Sequence, residues 1–294
     1  MDQIKERGYA KINLHLDITG RLEGGYHQVE TVMQSISLFD EITLIPRLEA
    51  GFDASCDVPG VPTDEKNLAV RAAALFAGRI GVRGGAHIAI EKQIPMAAGM
   101  AGGSADAAAV LRGMNRLYGL PLTLDELCKL GATLGADVPF CIVGGTAYAD
   151  GRGDVLHSFP SMPACHLVAA CGGEGVSTPW AYGVLDRLHG DFGENSQYRP
   201  RSVDTLRRVL ETGDLRQIAG AMYNIFEEPI LAERPVAAEL RRVMEEQGAR
   251  RAMMSGSGPS VFGIFDDRER AERCADQLRA TGVAAYVCEP VGKK

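Results

Sequence analysis

Ile94-Pro-Met-Ala-Ala-Gly-Met-Ala-Gly-Gly-Ser-Ala-Asp-Ala-Ala108 is a run of residues with almost no side chain. It follows a short apolar stretch, His87–Glu91, that reads as a strand, and it opens into Ala107–Tyr118, which reads as a helix. Glycine and alanine at a helix N-terminus let backbone N–H groups come close to a ligand. The helix dipole adds partial positive charge there, so phosphate is the natural guest. On residue type alone two readings stay open, a nucleotide-phosphate site and a tight structural turn. The stretch is not the GxxxxGK[ST] phosphate loop, since no lysine follows the glycines, and Gly99, Gly102 and Gly103 do not make GxGxxG. A dinucleotide dehydrogenase also fails for want of a βαβ unit with a following acidic residue. Ser104 and Asp106 fall at the expected helix start, where a hydroxyl and a carboxylate cap backbone donors.

Working outward, 294 residues fit one large domain or two domains sharing a cleft. The balance of 31 basic against 38 acidic residues, net −7, argues against general binding to nucleic acid or to a membrane surface. A polyanion would need local compensation from backbone amides, a few placed cations or a metal ion. No apolar run approaches the roughly 20 residues needed to span a bilayer, and Met1–Arg7 lacks the apolar core of a signal peptide. Seven scattered cysteines without a CxxC pair, and six histidines without ligand spacing, predict a reduced, cytoplasmic protein with no built-in zinc site.

Tyr9–Asp17 alternates apolar Ala10, Ile12, Leu14 and Leu16 with polar Lys11, Asn13, His15 and Asp17, the period of a strand with one buried face. The polar face is either plain amphipathicity or the wall of a cleft. Thr19–Tyr26 reads as a loop, Thr31–Leu38 and Glu41–Ile45 as separate strands, and Asn67–Ala77 as a helix. Thr123, with Glu126 in the capping-box position, starts a helix running to Leu134. Phe140–Leu156 reads as a β region. After a boundary at Pro160–Pro163 come a strand at His166–Cys171, helices near Pro179–His189, Val203–Thr212 and Pro235–Gln247, a hairpin at Met253–Phe265, a helix at Arg268–Thr281 and a strand at Ala284–Glu289. Asp191–Pro200 reads as a mobile loop. The mixture predicts an α+β fold in two lobes, 1–160 and 161–294.

In Gly135-Ala-Asp-Val-Pro-Phe140, Pro139 biases Val138 toward extended geometry and leaves Asp137 on an irregular segment. That carboxylate either takes a proton from a substrate hydroxyl or braces its own turn. Tyr26 and His27 suit a flat ring, or simply face solvent. The Ser255-Gly-Ser-Gly-Pro259 turn reads as a hairpin without a ligand, and Arg152 and Asp154 read as solvated.

Ala10-Lys-Ile-Asn-Leu14, Gly25-Tyr-His27, Glu65-Lys-Asn-Leu68, Pro95–Ala108, Gly135–Phe140 and Met254-Ser-Gly-Ser-Gly258, in this order, resemble the GHMP kinase superfamily. Within it they resemble the branch that phosphorylates the 2-hydroxyl of a diphosphocytidyl-linked methylerythritol in the non-mevalonate isoprenoid pathway. The resemblance implies a two-lobed fold with an ATP-binding N-terminal domain and a C-terminal substrate lobe. It implies ATP and Mg2+ as cofactors, the ion arriving with the nucleotide and Ser104 as its contact. It makes Asp137 the catalytic base and Lys11 its neighbour, orienting the attacking hydroxyl. Pro95, Met96, Ala97, Ala98, Gly99, Met100, Ala101, Gly102, Gly103, Ser104 and Ala105 would bind ATP phosphate, with Asn67 and Leu68 beside the adenine. Asn13, Tyr26, His27, Thr178 and Tyr182 would surround the cytosine and its linked groups. Ala97, Ala98 and Ala101 stand where glycine is common and Ala105 where serine is frequent, and alanine does not adopt positive φ at low cost. Another small-alcohol kinase, or a nucleotide sensor on the same fold, are the competing readings.

Overall fold

The structure is a computed structural model describing residues 2–190, 192–193 and 196–293. It opens with a long antiparallel hairpin, β1 (Ile4–Arg21) and β2 (His27–Arg47), with register shifts between Tyr9 and Lys11, Asn13 and His15, and Ile18 and Gly20. The loop expected from Thr19 is therefore shorter. Gly20 and Arg21 still pair with Gln28 and His27, and the turn is left to Gly24 and Gly25, both at positive φ. Likewise β2 is one strand rather than two, because Phe39 and Asp40 stay extended opposite Tyr9 and Gly8.

There follow β3 (Gly51–Cys56), α1 (Leu68–Ile80), β4 (Gly85–Glu91), α2 (Gly102–Leu117), α3 (Leu124–Ala132), α4 (Val138–Val143), β5 (Thr146–Asp150) and β6 (Val155–Ser158). The second half holds β7 (His166–Cys171), α5 (Thr178–His189), α6 (Asp204–Thr212), α7 (Leu215–Ala221), β8 (Tyr223–Asn224), α8 (Glu227–Glu233), α9 (Pro235–Glu246), β9 (Arg251–Met254), β10 (Val261–Phe265), α10 (Arg268–Ala280) and β11 (Ala284–Cys288). The first sheet runs β3-β4-β2-β1-β8, with β5 joining β2 to β6, and the second runs β11-β7-β10-β9. Buried alanines on α1 (Ala69, Ala72, Ala73) and α2 (Ala105, Ala107, Ala108, Ala109) let the two helices pack against each other, and α2 packs on β1 and β2. Fully burying side chains such as Ile12, Ile42, Leu44 and Phe76 beneath them contributes about 1.5–3 kcal/mol each.

Several expectations are corrected. The polar face of β1 is not wet: Lys11, Asn13, His15 and Asp17 are as buried as Ile12 and Leu14. The second half covers it, with β8 pairing in parallel with His15 and Leu16, and Tyr198 Oη and Arg201 N donating to Asp17. Burial, helped by Arg201, drops the His15 imidazole to about 4, so that ring is a neutral wall. The two-residue β8 and the short helices α7 and α8 carry too little periodicity to be read from sequence. The Phe140–Leu156 region begins as helix, since Pro139 occupies an opening position of α4 where its missing N–H costs nothing. For the same reason Val138 is helical, not extended.

The α2 helix starts at Gly102, five residues before the expected Ala107. Its N-cap residue is Ala101, with no side-chain cap, so Ser104 and Asp106 do not cap it. The segment 160–163 lies between β6 and β7, yet β8 returns to the first sheet, Leu206, Leu210 and Ile218 pack into the first core, and Pro290 and Lys293 bridge back to Ile36 and Gly144. Of the expected mobile loop at 191–200, residues 191, 194 and 195 lie outside the described residues. Phe192 is buried and Tyr198 is tied to Asp17. No helix among the described residues is long and apolar enough to cross a membrane.

Candidate active site

The glycine loop, the first strand and the start of α4 meet around a cleft of about 440 Å³. One wall is the loop, contributing Ala97, Ala98, Gly99, Ala101, Gly102, Gly103 and Ser104, so the backbone at the N-terminus of α2 faces the cavity. The opposite wall is β1, contributing Lys11 and Asn13. A backbone hydrogen bond from Lys11 N to Met100 O (3.2 Å) fixes one wall to the other. The Lys11 side chain is 94% buried, and its ammonium donates to Asn13 Oδ1 (2.7 Å) and stands 3.9 Å from Asp137 Oδ2. Asn13 Nδ2 donates to Thr31 Oγ1, and Thr31 donates to His15 O, so the lysine is aimed by a chain of filled hydrogen bonds. Asp137 is the N-cap residue of α4, but its side chain makes no capping bond there. Its carboxylate lines the cleft instead, part exposed, beside a lysine. The bracing reading of Asp137 is thereby set aside.

Two alanines of the loop hold positive φ: Ala97 at 50° and Ala101 at 57°, while Ala98 does not. Left-handed geometry costs a residue with Cβ roughly 1–2 kcal/mol, and Gly loses about 0.4–1 kcal/mol of that advantage through its freer unfolded chain. Ala97→Gly and Ala101→Gly are each expected to stabilise the protein by up to about 1 kcal/mol, read as a higher urea midpoint. A lower midpoint at both would show that the loop is not strained there.

The Ser255–Pro259 turn, expected as a plain hairpin turn, closes the cleft from the second half. Gly256 and Ser257 line it, Ser255 Oγ donates to Gly99 O (3.0 Å), and Ser260 N donates to Ala98 O (3.3 Å). Behind the turn, Asn224 Nδ2 donates to the carbonyls of Met254 and Gly256, both at 2.8 Å.

A second cavity of about 530 Å³ adjoins the first and shares Ala136, Arg152, Thr178 and Tyr182 with it. Gly25, Tyr26 and His27 form its far side. His27 stacks on Tyr182 with centroids 4.4 Å apart, and Arg152 lies over the Tyr26 ring. Burial, with the charge of Asp137 adding to it, pushes the Tyr182 phenol up to about 12, so it stays a neutral donor. His27 Nε2 lies 2.8 Å from Asp186 Oδ1, and Arg21 donates to the same carboxylate at 2.7 Å. Thr178, Tyr182 and Asp186 are spaced i, i+4, i+8 and share one face of α5. Arg152 is exposed, as its solvated reading expects, and also lines both cavities.

Not every expected loop residue reaches the cleft. Met100 and Ala105 are buried behind it, and Pro95 and Met96 lie off its wall. Leu68 lines the cleft, but the Asn67 side chain is spent on capping α1 through Ala69 N and on Pro62 O. Sequence reading missed Thr31, Gly153, Phe226, Gly256 and Ser257 as lining residues. Only the glycine-serine turn carried a signal that could have found any of them.

Among the described residues no group of three His, Cys, Asp or Glu is placed to hold a metal. Ser104 and Asp137 do offer hard oxygen donors on the cleft wall, which suits an ion that arrives already bound to phosphates.

Residues 67–145 match the GHMP kinases N terminal domain and residues 206–284 the GHMP kinases C terminal domain. A 4-diphosphocytidyl-2-C-methyl-D-erythritol kinase from Alkaliphilus metalliredigens is 43% identical over 278 residues, covering 95% of this chain and 93% of its own. One of the same name from a Synechococcus species is 46% identical over 273 residues, covering 92% and 87%. A solved 4-(cytidine 5'-diphospho)-2C-methyl-D-erythritol kinase superposes with a TM-score of 0.78 at 32% identity, covering 98% of this chain and 100% of that one. With the loop, the buried lysine and the aspartate all in one cleft, the chain belongs to the GHMP kinases, and within them to the family of the 4-diphosphocytidyl-2-C-methyl-D-erythritol kinases.

Proposed function

We propose that this protein transfers the γ-phosphate of ATP to the 2-hydroxyl of 4-diphosphocytidyl-2-C-methyl-D-erythritol, giving the 2-phosphate and ADP in the non-mevalonate isoprenoid pathway. The observation that carries this reading is the placement of Lys11 and Asp137 across one cleft from the N-terminus of α2, with an aromatic cavity opening beside them. Backbone N–H groups of the loop hold the β- and γ-phosphates of ATP. Asp137 takes the proton of the attacking hydroxyl as its oxygen bonds to the γ-phosphorus, and the bond to the ADP oxygen breaks on the far side. Lys11 keeps the acceptor oxygen beside Asp137 and balances charge on the moving phosphoryl group. Such transfers need positioning and charge stabilisation above all. Mg2+, held by Ser104 with the phosphates, would supply further neutralisation of phosphate charge. Leu68 sits against the nucleotide end of the cleft.

The second cavity takes the cytosine, with Tyr26 and Tyr182 offering ring faces, Thr178 and His27 polar contacts, and Asn13 serving the linked groups. A kinase for homoserine or mevalonate has no use for such a ring-lined cavity. A coupled ADP-release assay with the diphosphocytidyl substrate, homoserine and mevalonate discriminates these readings. Absence of turnover with the first, in folded protein, would sink the substrate assignment.

Because a carboxylate can only accept, the bond between Asp186 and His27 puts the imidazole proton on Nε2 and fixes the ring's orientation. Asp186→Ala is expected to raise the KM for the cytidine substrate by about tenfold, the equivalent of one well-made hydrogen bond. The KM for ATP should stay put. Equal effects on both substrates would contradict the assignment of this cavity.

A further inference from the structure

Lys92 lies just ahead of the glycine loop, with its side chain turned inward and only 5% exposed. Its ammonium sits between Asp40 of β2 and Asp106 of α2, 2.8 Å from Asp106 Oδ2. Asp40 is fully buried, and its Oδ1 also accepts from the backbone N–H groups of Gln93 (2.6 Å) and Ile94 (2.8 Å). The chain entering the loop is thus clamped to the sheet by one carboxylate. Lys92 then reaches across to the helix that leaves the loop. Its Nζ lies beneath the first turn of α2: a Cβ placed on Gly102 would come within 3.1 Å of it. Asp106 is one helical turn beyond Gly102, so the ammonium bonds the helix there and passes beneath its first turn.

None of the three charged groups lines the cleft. Burying an ammonium with two carboxylates is costly, and apolar side chains of similar volume often hold a fold equally well. A cluster of this kind directly under the backbone donors of a phosphate site has a use that packing alone does not supply. We infer that Lys92 is a positioning residue of the nucleotide site: through Asp106 and Asp40 it sets the height and tilt of the first turn of α2, and so the aim of the Gly102, Gly103 and Ser104 N–H groups. This rests on the reading, proposed above, that the loop takes the phosphates of ATP. Asp106 Oδ1 has no hydrogen-bond partner, so a proton there leaves the Lys92 bond to Oδ2 intact. Burial pushes Asp106 toward its protonated form, against the pull of Lys92. The neutral isostere asparagine is therefore a conservative replacement at this position.

The test compares Lys92→Met, the double variant Lys92→Met with Asp106→Leu, and Asp106→Asn in steady-state assays and in melting with and without ATP and Mg2+. Both variants lacking the ammonium are expected to raise the KM for ATP about tenfold or more, with the acceptor KM within about twofold. Asp106→Asn should stay within about threefold of the wild type for ATP. Should Lys92→Met fail to fold, the double variant carries the measurement, since it leaves one buried carboxylate, Asp40, in place of two, and Asp40 keeps its two backbone donors. A folded double variant with the wild-type KM for ATP overturns the inference, even if its melting temperature has dropped. Wild-type protein that gains no thermal stability from ATP would overturn the phosphate reading itself, and this inference with it.

Discussion

Asp137→Asn is expected to lower kcat by about 10²- to 10⁴-fold, the usual contribution of a positioned general base. The substitution keeps the size and the helix start while removing the group that accepts the hydroxyl proton. Asp137 makes no capping bond and is 38% exposed, so stability should change little. The KM for ATP should also hold, because the loop amides and not Asp137 bear the phosphates. ADP release in a coupled assay, beside thermal melting, checks both halves. Turnover equal to wild type would remove Asp137 from the chemistry even with the fold intact.

The second large effect is expected at Gly99. Its φ is +76°, and a Cβ there would lie 2.2 Å from the carbonyl oxygen of Ser255. Gly99→Val therefore meets a left-handed penalty of roughly 1–2 kcal/mol and an overpacking penalty of roughly 1–3 kcal/mol. Together these give a loss of about 2–5 kcal/mol, and relief requires the loop and the serine turn to move apart. Both walls of the cleft would shift, so the KM for ATP should rise along with the loss in urea midpoint. Gly78→Ala is the contrasting control: a Cβ there meets nothing within 4 Å in helix α1. It should stabilise by about 0.5–1 kcal/mol. If Gly99→Val were as stable as wild type, the close approach of loop and turn would be wrong.

Local signals were legible and long-range ones were not. The alternation of Tyr9–Asp17 marked β1, Thr123 with Glu126 marked the start of α3 by a complete capping box, and Asn67 marked the start of α1. The glycine loop announced itself by composition. What escaped was whatever depended on distant partners. Nothing near Lys92 tells that its ammonium pairs with Asp40, 52 positions away. Nothing near Asp106 tells that it faces that lysine rather than capping its helix. The polar face of β1 stayed undecided between plain amphipathicity and a cleft wall because its cover comes from Tyr198, Arg201 and β8. Lys11 and Asn13 turn out to line the cleft. The proposed catalytic pair was within reach only because six separate motifs, in order, resembled one family. Asp137 and Lys11 taken singly kept bland readings, and geometry joined them.

The cover over β1 has a consequence for how the molecule is made. Asp17 receives its hydrogen bonds from residues 181 and 184 positions later in the chain. During synthesis the first sheet therefore emerges with Asp17 and the flank beside His15 and Leu16 uncovered until the ribosome has delivered Tyr198, Arg201 and β8, while Lys11, Asn13 and Thr31 already bond one another. A fragment ending near residue 160 would carry that end of β1 as an open, wet flank. Closing such distant contacts is slow relative to local helix formation. The newborn enzyme thus closes the Asp17 end of β1 and its cleft late, once the far half of the chain has arrived.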